Sequence, residues 1–364
     1  MIELSSHYFA RGNTAHGAHF LYDSAFQGLS KLYVLNGPPG TGKSTILRDL
    51  ADRLMEDNRH VQHFHSPLRP DELDGIIATE LNIGVVDGRV CEGIPVNACE
   101  TAYVQLADAV DNGRLSSEQL ETIEALSGKL ADAYSSAYAA FLTALRIHDE
   151  WEKLYIESMD FAKADQIAQS LIQSLLEGNS GSRPTAPRHL FFGAATPRGA
   201  YDFIQRLTAQ LERRIFIKGR PGSGKSTLLK KLAAAAEKSG VEVQVYHCGF
   251  DPNSLDMLIF PQLSTAIFDS TAPHEYFPSR GGDEALDMYA LAMAPGTDET
   301  YAVEIAAIKE RYSDKMKEAT AHLAAAEAID TAIKRIYTEA TDFAIVNQLG
   351  LQLQAELLNY RSQL

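Results

Sequence analysis

The chain is poor in cysteine, basic residues and long apolar runs, and each shortage excludes something. Its 364 residues include three cysteines, Cys91, Cys99 and Cys248. That number is small and odd, which argues against a disulfide framework and suits reduced thiols in a cytosol. There is no uninterrupted apolar run of the ~18 residues that a membrane-spanning helix needs. The first residues, Met1-Ile2-Glu3-Leu4-Ser5-Ser6-His7, contain an acid and no apolar core segment, so a secretory signal is not expected there. Lysine and arginine total 33 against 48 aspartates and glutamates, for a net charge of −15. General binding to a nucleic-acid backbone is unfavourable at that charge without a local basic stripe. No such stripe is present, and Lys230-Lys231 lie within one helical pattern. The expectation is a cytoplasmic protein long enough for two ordinary domains with real cores.

Two stretches stand out against this background. Gly37-Pro38-Pro39-Gly40-Thr41-Gly42-Lys43-Ser44-Thr45 and Gly219-Arg220-Pro221-Gly222-Ser223-Gly224-Lys225-Ser226-Thr227 both fit G-x-x-x-x-G-K-[ST], a phosphate-binding loop (P-loop). Each follows a β-type run (Leu32 to Leu35; Ile215 to Ile217). Each precedes a helical pattern (Ile46, Leu47, Leu50; Leu228, Leu229, Leu232). That strand–loop–helix context is what the motif requires.

Lys43 and Lys225 are 182 residues apart, and the same offset relates much of the chain. His7 and Phe9 correspond to His189 and Phe191, His65 to His247, Pro70 to Pro252, Leu73-Asp74 to Leu255-Asp256, and Asp87 to Asp269. Tyr155, Asp160 and Phe161 correspond to Tyr337, Asp342 and Phe343. A period this long indicates paired domains and not a solenoid, whose repeats are ~20–50 residues. The expected units are 1–182 and 183–364, joined through the Gly-, Ser- and Pro-rich stretch from Glu177 to Pro187.

Within each unit, strands alternate with helices, which implies an α/β fold with a mostly parallel sheet covered on both faces. A short strand at Tyr8-Phe9 or Leu190 to Phe192 should lead into a helix, with Thr196 as N-cap and Pro197 as its first residue. The last third of each unit is a long helical segment. Ser116 with Gln119 forms a capping box ahead of a stripe from Leu120 to Leu145, and a second segment carries Trp151, Leu154 and Tyr155. The second unit has a matching stripe from Ile305 to Tyr337. These helices, each of ~30 residues and ~45 Å, are expected to join the halves as an intramolecular bundle. The functional alternative is a lid or an arm that docks a protein partner.

The loop residues suggest a chemistry. Glycines let the backbone N–H groups turn inward on phosphate, and the following helix adds its positive end. Lys43 and Lys225 should reach the β- and γ-phosphates, and Ser44 and Ser226 should ligate Mg²⁺. Asp87 and Asp269, each ending an apolar strand, are the expected carboxylates behind that cation. Gly88 and Ser270 follow them, so a water-activating glutamate is missing from that place. Asp251 to Asp256 and Asp269 to His274 should lie at strand ends where open α/β sheets bind ligands. His274 is an acid–base or phosphate-contacting candidate. Arg220 and Arg280 are candidates for neutralising phosphate charge, and His247 with Cys248 lacks the partners of a metal site. The first unit departs here: Asp87-Gly88-Arg89-Val90-Cys91-Glu92 stands against Asp269-Ser270-Thr271-Ala272-Pro273-His274, and Arg69 against Asp251.

Over nearly its whole length the chain resembles a family of bacterial duplicated P-loop proteins described as ATPases or nucleotide-kinase-like. The resemblance rests on HLFFGAATPRG (189–199), KGRPGSGKSTLLKK (218–231), YHCGFDPNSLDMLIFPQL (246–263) and DSTAPH (269–274). It implies ATP binding in both halves and supplies no substrate. The expected function is a Mg²⁺-dependent ATPase with two sites, the second fuller than the first. The alternatives are a nucleotide-dependent switch with little turnover and a nucleotide or small-molecule kinase.

Overall fold

The computed structural model describes residues 4–90, 99–179 and 186–360. Cys91, Glu92 and most of the expected linker lie outside the described residues. In the first half the elements are β1 (Ser5–Tyr8), β2 (Arg11–Thr14), β3 (Gly17–Phe20), α1 (Tyr22–Ala25), β4 (Lys31–Asn36), α2 (Lys43–Glu56), β5 (Val61–His65), β6 (Leu73–Ala78), β7 (Ile83–Asp87), β8 (Glu100–Gln105), α3 (Ser117–Ile156) and α4 (Phe161–Leu176). The second half repeats them: β9 (Arg188–Phe191), β10 (Gly193–Thr196), β11 (Gly199–Asp202), α5 (Ile204–Thr208), β12 (Arg213–Lys218), α6 (Lys225–Ser239), β13 (Gln244–His247), β14 (Leu255–Phe260), β15 (Thr265–Asp269) and β16 (Asp283–Asp287). Two short helices, α7 (Met288–Ala292) and α8 (Thr297–Thr300), lead to α9 (Ala302–Ala340) and α10 (Phe343–Asn359).

The two six-stranded sheets have one topology. The first runs β1-β5-β6-β7-β4-β8 and the second β9-β13-β14-β15-β12-β16, so equivalent strands hold equivalent places. Three of the five pairings in each sheet are parallel; β6 and β14 run antiparallel to both neighbours. The chain allows nothing else there, because residues 66–72 and 79–82 are too short for a crossover connection. The P-loop strand β4 lies directly between β7, which ends in Asp87, and β8.

Both faces of β4 are buried, with period two. Tyr33 and Leu35 pack with Leu47, Leu50 and Leu54 of α2, while Leu32 and Val34 turn to the opposite face. On that opposite face the two sheets share a core, with Phe64 and Val86 from one and Phe216, Tyr246 and Phe268 from the other. The halves meet about a local two-fold. Phe9 and Phe191, equivalent residues, exchange N–H···O bonds of 3.0 Å in both directions. Asn13 Nδ2 donates to the carbonyl of its own equivalent, Ala195, at 3.0 Å. This is an isologous contact made within one chain.

The expected helix at Thr196-Pro197 is instead a hairpin, β10–β11, matched by β2–β3. The Thr196 hydroxyl donates to Gly199 O at 2.7 Å and accepts from Arg198 N at 3.1 Å. A threonine beside a turn makes the same local bonds as an N-cap, so the sequence reads alike in both. The next difference is length. α3 runs unbroken for 40 residues, about 60 Å, where two segments were expected. Its capping box at Ser116 and Gln119 is present.

α3 and α9 pair along their length and run antiparallel. Tyr155 packs with Ile305, Phe141 and Ala137 with Ala319 and Leu323, and Ala133 with Ala326. Alanines along the seam allow the close approach. The apolar stripes are therefore buried against each other and join the halves. The terminal helices then cross over. α10 completes the core beneath α2 of the first half through Val346, Leu353 and Leu357. α4 does the same beside α6 of the second half through Ala168, Leu175 and Leu176. Each repeat lends its last helix to the other's sheet.

The exchange has a measurable consequence. Leu353→Ala should cost about 2–5 kcal/mol in urea denaturation, the range for emptying a buried leucine site. Hydrogen exchange should accelerate in β4 and β5 of the first half, although the substitution is in the second repeat. Acceleration confined to β12 and β13 would contradict the exchanged packing.

Candidate functional site

Each P-loop closes at the N-terminus of its helix, with Gly42 and Gly224 in the left-handed region at φ of 82° in both. The loops are equivalent in backbone but not in what surrounds them. In the first, Lys43 is buried and donates to Gly37 O at 2.5 Å and Pro38 O at 2.8 Å, with Asp87 Oδ1 3.5 Å away. Burial pulls its ammonium down to about 8 against the attraction of Asp87, with Arg89 and Lys334 adding repulsion. In the second, Lys225 donates to Arg220 O at 2.9 Å and lies 3.6 Å from Asp269 Oδ2. The Ser223 hydroxyl is buried with no partner among the described residues. Its equivalent Thr41 donates to Pro38 O at 2.9 Å.

Ser44 and Ser226 behave alike, each Oγ accepting from the backbone N–H at the start of the antiparallel strand (Leu73 of β6; Leu255 of β14) at 2.9 Å. Their remaining lone pair and proton stay available. The carboxylates do not behave alike. Asp87 is buried and receives Arg89 Nη2 at 2.9 Å and Arg89 N at 3.0 Å. Burial opposes its ionisation, but Arg89 and Lys43 outweigh burial and hold the carboxyl below its usual range. Asp269 receives the Thr271 hydroxyl at 2.7 Å and Thr271 N at 3.1 Å. Behind Asp87, Asp74 takes Arg11 Nε at 2.7 Å and Arg11 Nη2 at 3.3 Å. Behind Asp269, the equivalent Asp256 has no arginine partner among the described residues, position 193 being glycine where the first half has Arg11. Burial, then the charge of Asp269, pushes the Asp256 carboxyl up to about 6. The second site thus concentrates hydroxyl and carboxylate oxygens near one lysine, a donor set that fits Mg²⁺.

Other expected residues are engaged in holding the structure. His274 Nδ1 lies 2.7 Å from Asp202 Oδ2, and Tyr276 donates to Asp202 Oδ1 at 2.9 Å, which fastens the loop after β15 to the hairpin. Asp251 accepts from Asn253 N and Ser254 Oγ, both at 3.1 Å, within its own turn. Arg280 donates to the carbonyls of Ala209, Thr208 and Leu211, so it staples a loop end. Arg220 pairs with Asp298 at 2.8 Å and lies over the Tyr289 ring. His247 is packed: its Nδ1 bonds Pro252 O at 2.6 Å and its Nε2 faces His189 Nδ1 at 2.8 Å.

What motif reading missed is the other half's helix at each loop. A Cβ on Gly40 would lie 2.3 Å from Lys334 O of α9, and one on Gly222 would lie 2.6 Å from Glu152 O of α3. Glycine is required there by a neighbouring helix as well as by φ values of +87° and +73°. Thr338 donates to Gly40 O at 3.1 Å. The helices also bring charge. Asp330 pairs with Arg69, and Lys334 with Glu72, at the first loop. At the equivalent positions His148 and Glu152, 3.7 Å apart, stand at the second. The repeat offset could have identified these pairs, but not that they cross over.

Residues 33–128 match the AAA domain of the dynein-related subfamily. That span holds the first P-loop, Asp87 and the start of α3, about a quarter of the chain. A P-loop NTPase domain of AAA type is therefore present in the first half. No curated protein and no solved structure matches the chain. No helix among the described residues is long and apolar enough to cross a membrane.

The histidine pairs set a pH dependence. His65 Nδ1 bonds Pro70 O at 2.6 Å, so His65 Nε2 accepts from His7 Nδ1–H at 2.9 Å, and both rings are neutral. Burial first, then neighbouring histidines and Arg206, holds His7 down to about 3; burial, with smaller pushes from His63 and Arg206, holds His65 down to about 4. Burial likewise holds His247 down to about 4. With an unfolded value near 6.5, the unfolded chain binds more protons between about 6.5 and 4, so stability falls as pH drops through that window. Unfolding free energy measured from pH 7 to 4 should decline, and His65→Gln should flatten the decline. An unchanged slope would remove the pair as its source.

Proposed function

We propose that the protein binds ATP at both P-loops and hydrolyses it at the second, with 1–182 and 183–364 as the two nucleotide-binding units. The observation that carries this is the second loop's donor set, in which Lys225, Ser226, Asp269 and Asp256 converge without arginine neutralisation. The backbone N–H groups of 219–225 meet the phosphate oxygens. Lys225 leaves Arg220 O, its one hydrogen-bond acceptor among the described residues, for the β- and γ-phosphates. The Ser223 hydroxyl gains a partner in the same step. Ser226 and Asp269 would hold Mg²⁺, which would supply neutralisation of the charge developing on the transferred phosphoryl group. The Ser270 hydroxyl donates to Tyr276 O at 2.7 Å, and no carboxylate occupies that position to activate water, so turnover is expected to be slow. His274 serves as a positioning residue through Asp202.

A second reading is a nucleotide-operated switch. It is favoured by the contact of each loop with the other half's helix, since loop adjustment on binding would reach the α3–α9 pair directly. The two readings differ in turnover. Lys225→Ala should lower ATP hydrolysis by at least about tenfold, the scale of losing one phosphate-stabilising group, while Lys43→Ala costs less. Equal losses would remove the asymmetry. Tight ATP binding with no phosphate release by the unmodified protein would favour the switch.

A further inference from the structure

We propose that the first P-loop takes its nucleoside triphosphate without a divalent cation, so that one chain holds two nucleotides and a single cation. This rests on the nucleotide-binding reading above and concerns how its two sites differ.

A divalent cation at a P-loop needs an ionised carboxylate behind it and a local excess of negative charge. At the first loop both carboxylates already have cations. Asp87 is bonded by Arg89 at 2.9 Å with Lys43 at 3.5 Å. Asp74 is bonded by Arg11 at 2.7 Å and by the Tyr22 hydroxyl at 3.3 Å. Arg11, Arg89 and Lys43 therefore hold these two strand-end carboxylates, Arg89 also lying 4.0 Å from Asp330 of α9, and at the second loop one lysine faces two. The difference is built into the repeat. The equivalents of Arg11 and Arg89 are Gly193 and Thr271. A Cβ on Gly193 would already lie 2.7 Å from Tyr201 O, so no arginine fits at that place in the second half.

An arginine fork can do for phosphate oxygens what a cation does, with planar bidentate geometry. Arg89 is placed for this. Its side chain is 41 % exposed, whereas the Asp87 it bonds is 4 % exposed, so Nη1 can meet a polyphosphate while Nε and Nη2 stay on Asp87. Lys334 arrives from the other half's helix, 2.5 Å from Glu72. A polyphosphate adds negative charge where Arg89, Lys43 and Lys334 gather, whereas a dication would lie beside carboxylates that already have cationic partners.

Fluorescent ATP-analogue titrations on the full chain, in excess Mg²⁺ and in excess EDTA, test this. Lys225→Ala leaves the first loop to report, and Lys43→Ala the second. The Lys225→Ala protein should bind within about twofold under both conditions, and the Lys43→Ala protein should lose at least about tenfold in EDTA. Electron paramagnetic resonance of Mn²⁺ at saturating ATP should count one bound ion per chain, lost in Asp269→Asn and kept in Asp87→Asn. Arg89→Thr, a substitution at a half-exposed side chain, should make the first loop's binding cation-dependent in the Lys225→Ala background. Cation-dependent binding at both loops, two Mn²⁺ per chain, or EDTA-resistant binding in Arg89→Thr would overturn the proposal and leave the nucleotide reading standing. Absence of analogue binding by the unmodified protein in either condition would overturn both.

Discussion

The reciprocal bonding of Phe9 and Phe191 is the constraint from which the architecture follows. Two equivalent residues can exchange N–H···O bonds only across a local two-fold. Once that axis exists, the sheets share a core, the long helices α3 and α9 must run antiparallel, and each helix ends over the opposite half. The exchange of α4 and α10 completes the arrangement, because both sheets then depend on a helix from the other repeat. The joints are secured by backbone bonds. Asp160 N donates to Ala292 O and Asp342 N to Ala109 O, each at 2.8 Å.

This symmetry places the phosphate loops at the junction of the halves. Each loop's central glycine lies against the backbone of the opposite helix, close enough that no side chain would fit. The close approach is made at both loops, by Lys334 O at Gly40 and by Glu152 O at Gly222, and the first adds the Thr338 hydrogen bond.

Electrostatics then break the symmetry that the backbone keeps. Asp74 and Asp87 are met by Arg11 and Arg89, while Asp256 and Asp269 meet no arginine among the described residues. The helix above contributes Asp330 and Lys334 at one loop and His148 and Glu152 at the other. Equivalent main chains thus enclose two sites whose carboxylates have different partners, a difference set by a few side chains near the strand ends.

Much of this was legible along the chain. The P-loops, the strand-end aspartates and the 182-residue offset are local patterns, because a glycine-rich turn before a helix and an apolar strand ending in acid need only near neighbours to form. The hairpin at Thr196 was not legible, since the bonds of a turn threonine and an N-cap threonine are the same locally. The reach of α3 was underestimated, since a helical stripe does not say where packing partners stop. The antiparallel placement of β6 and β14 also escaped, although their short connections imply it. What the sequence determined by itself was the pair of phosphate loops and the residues that differ between them. What only the tertiary structure decided was which half covers each loop and which arginine meets each aspartate. Those contacts join residues such as Arg69 and Asp330, 261 positions apart, through a two-fold axis that no local pattern encodes.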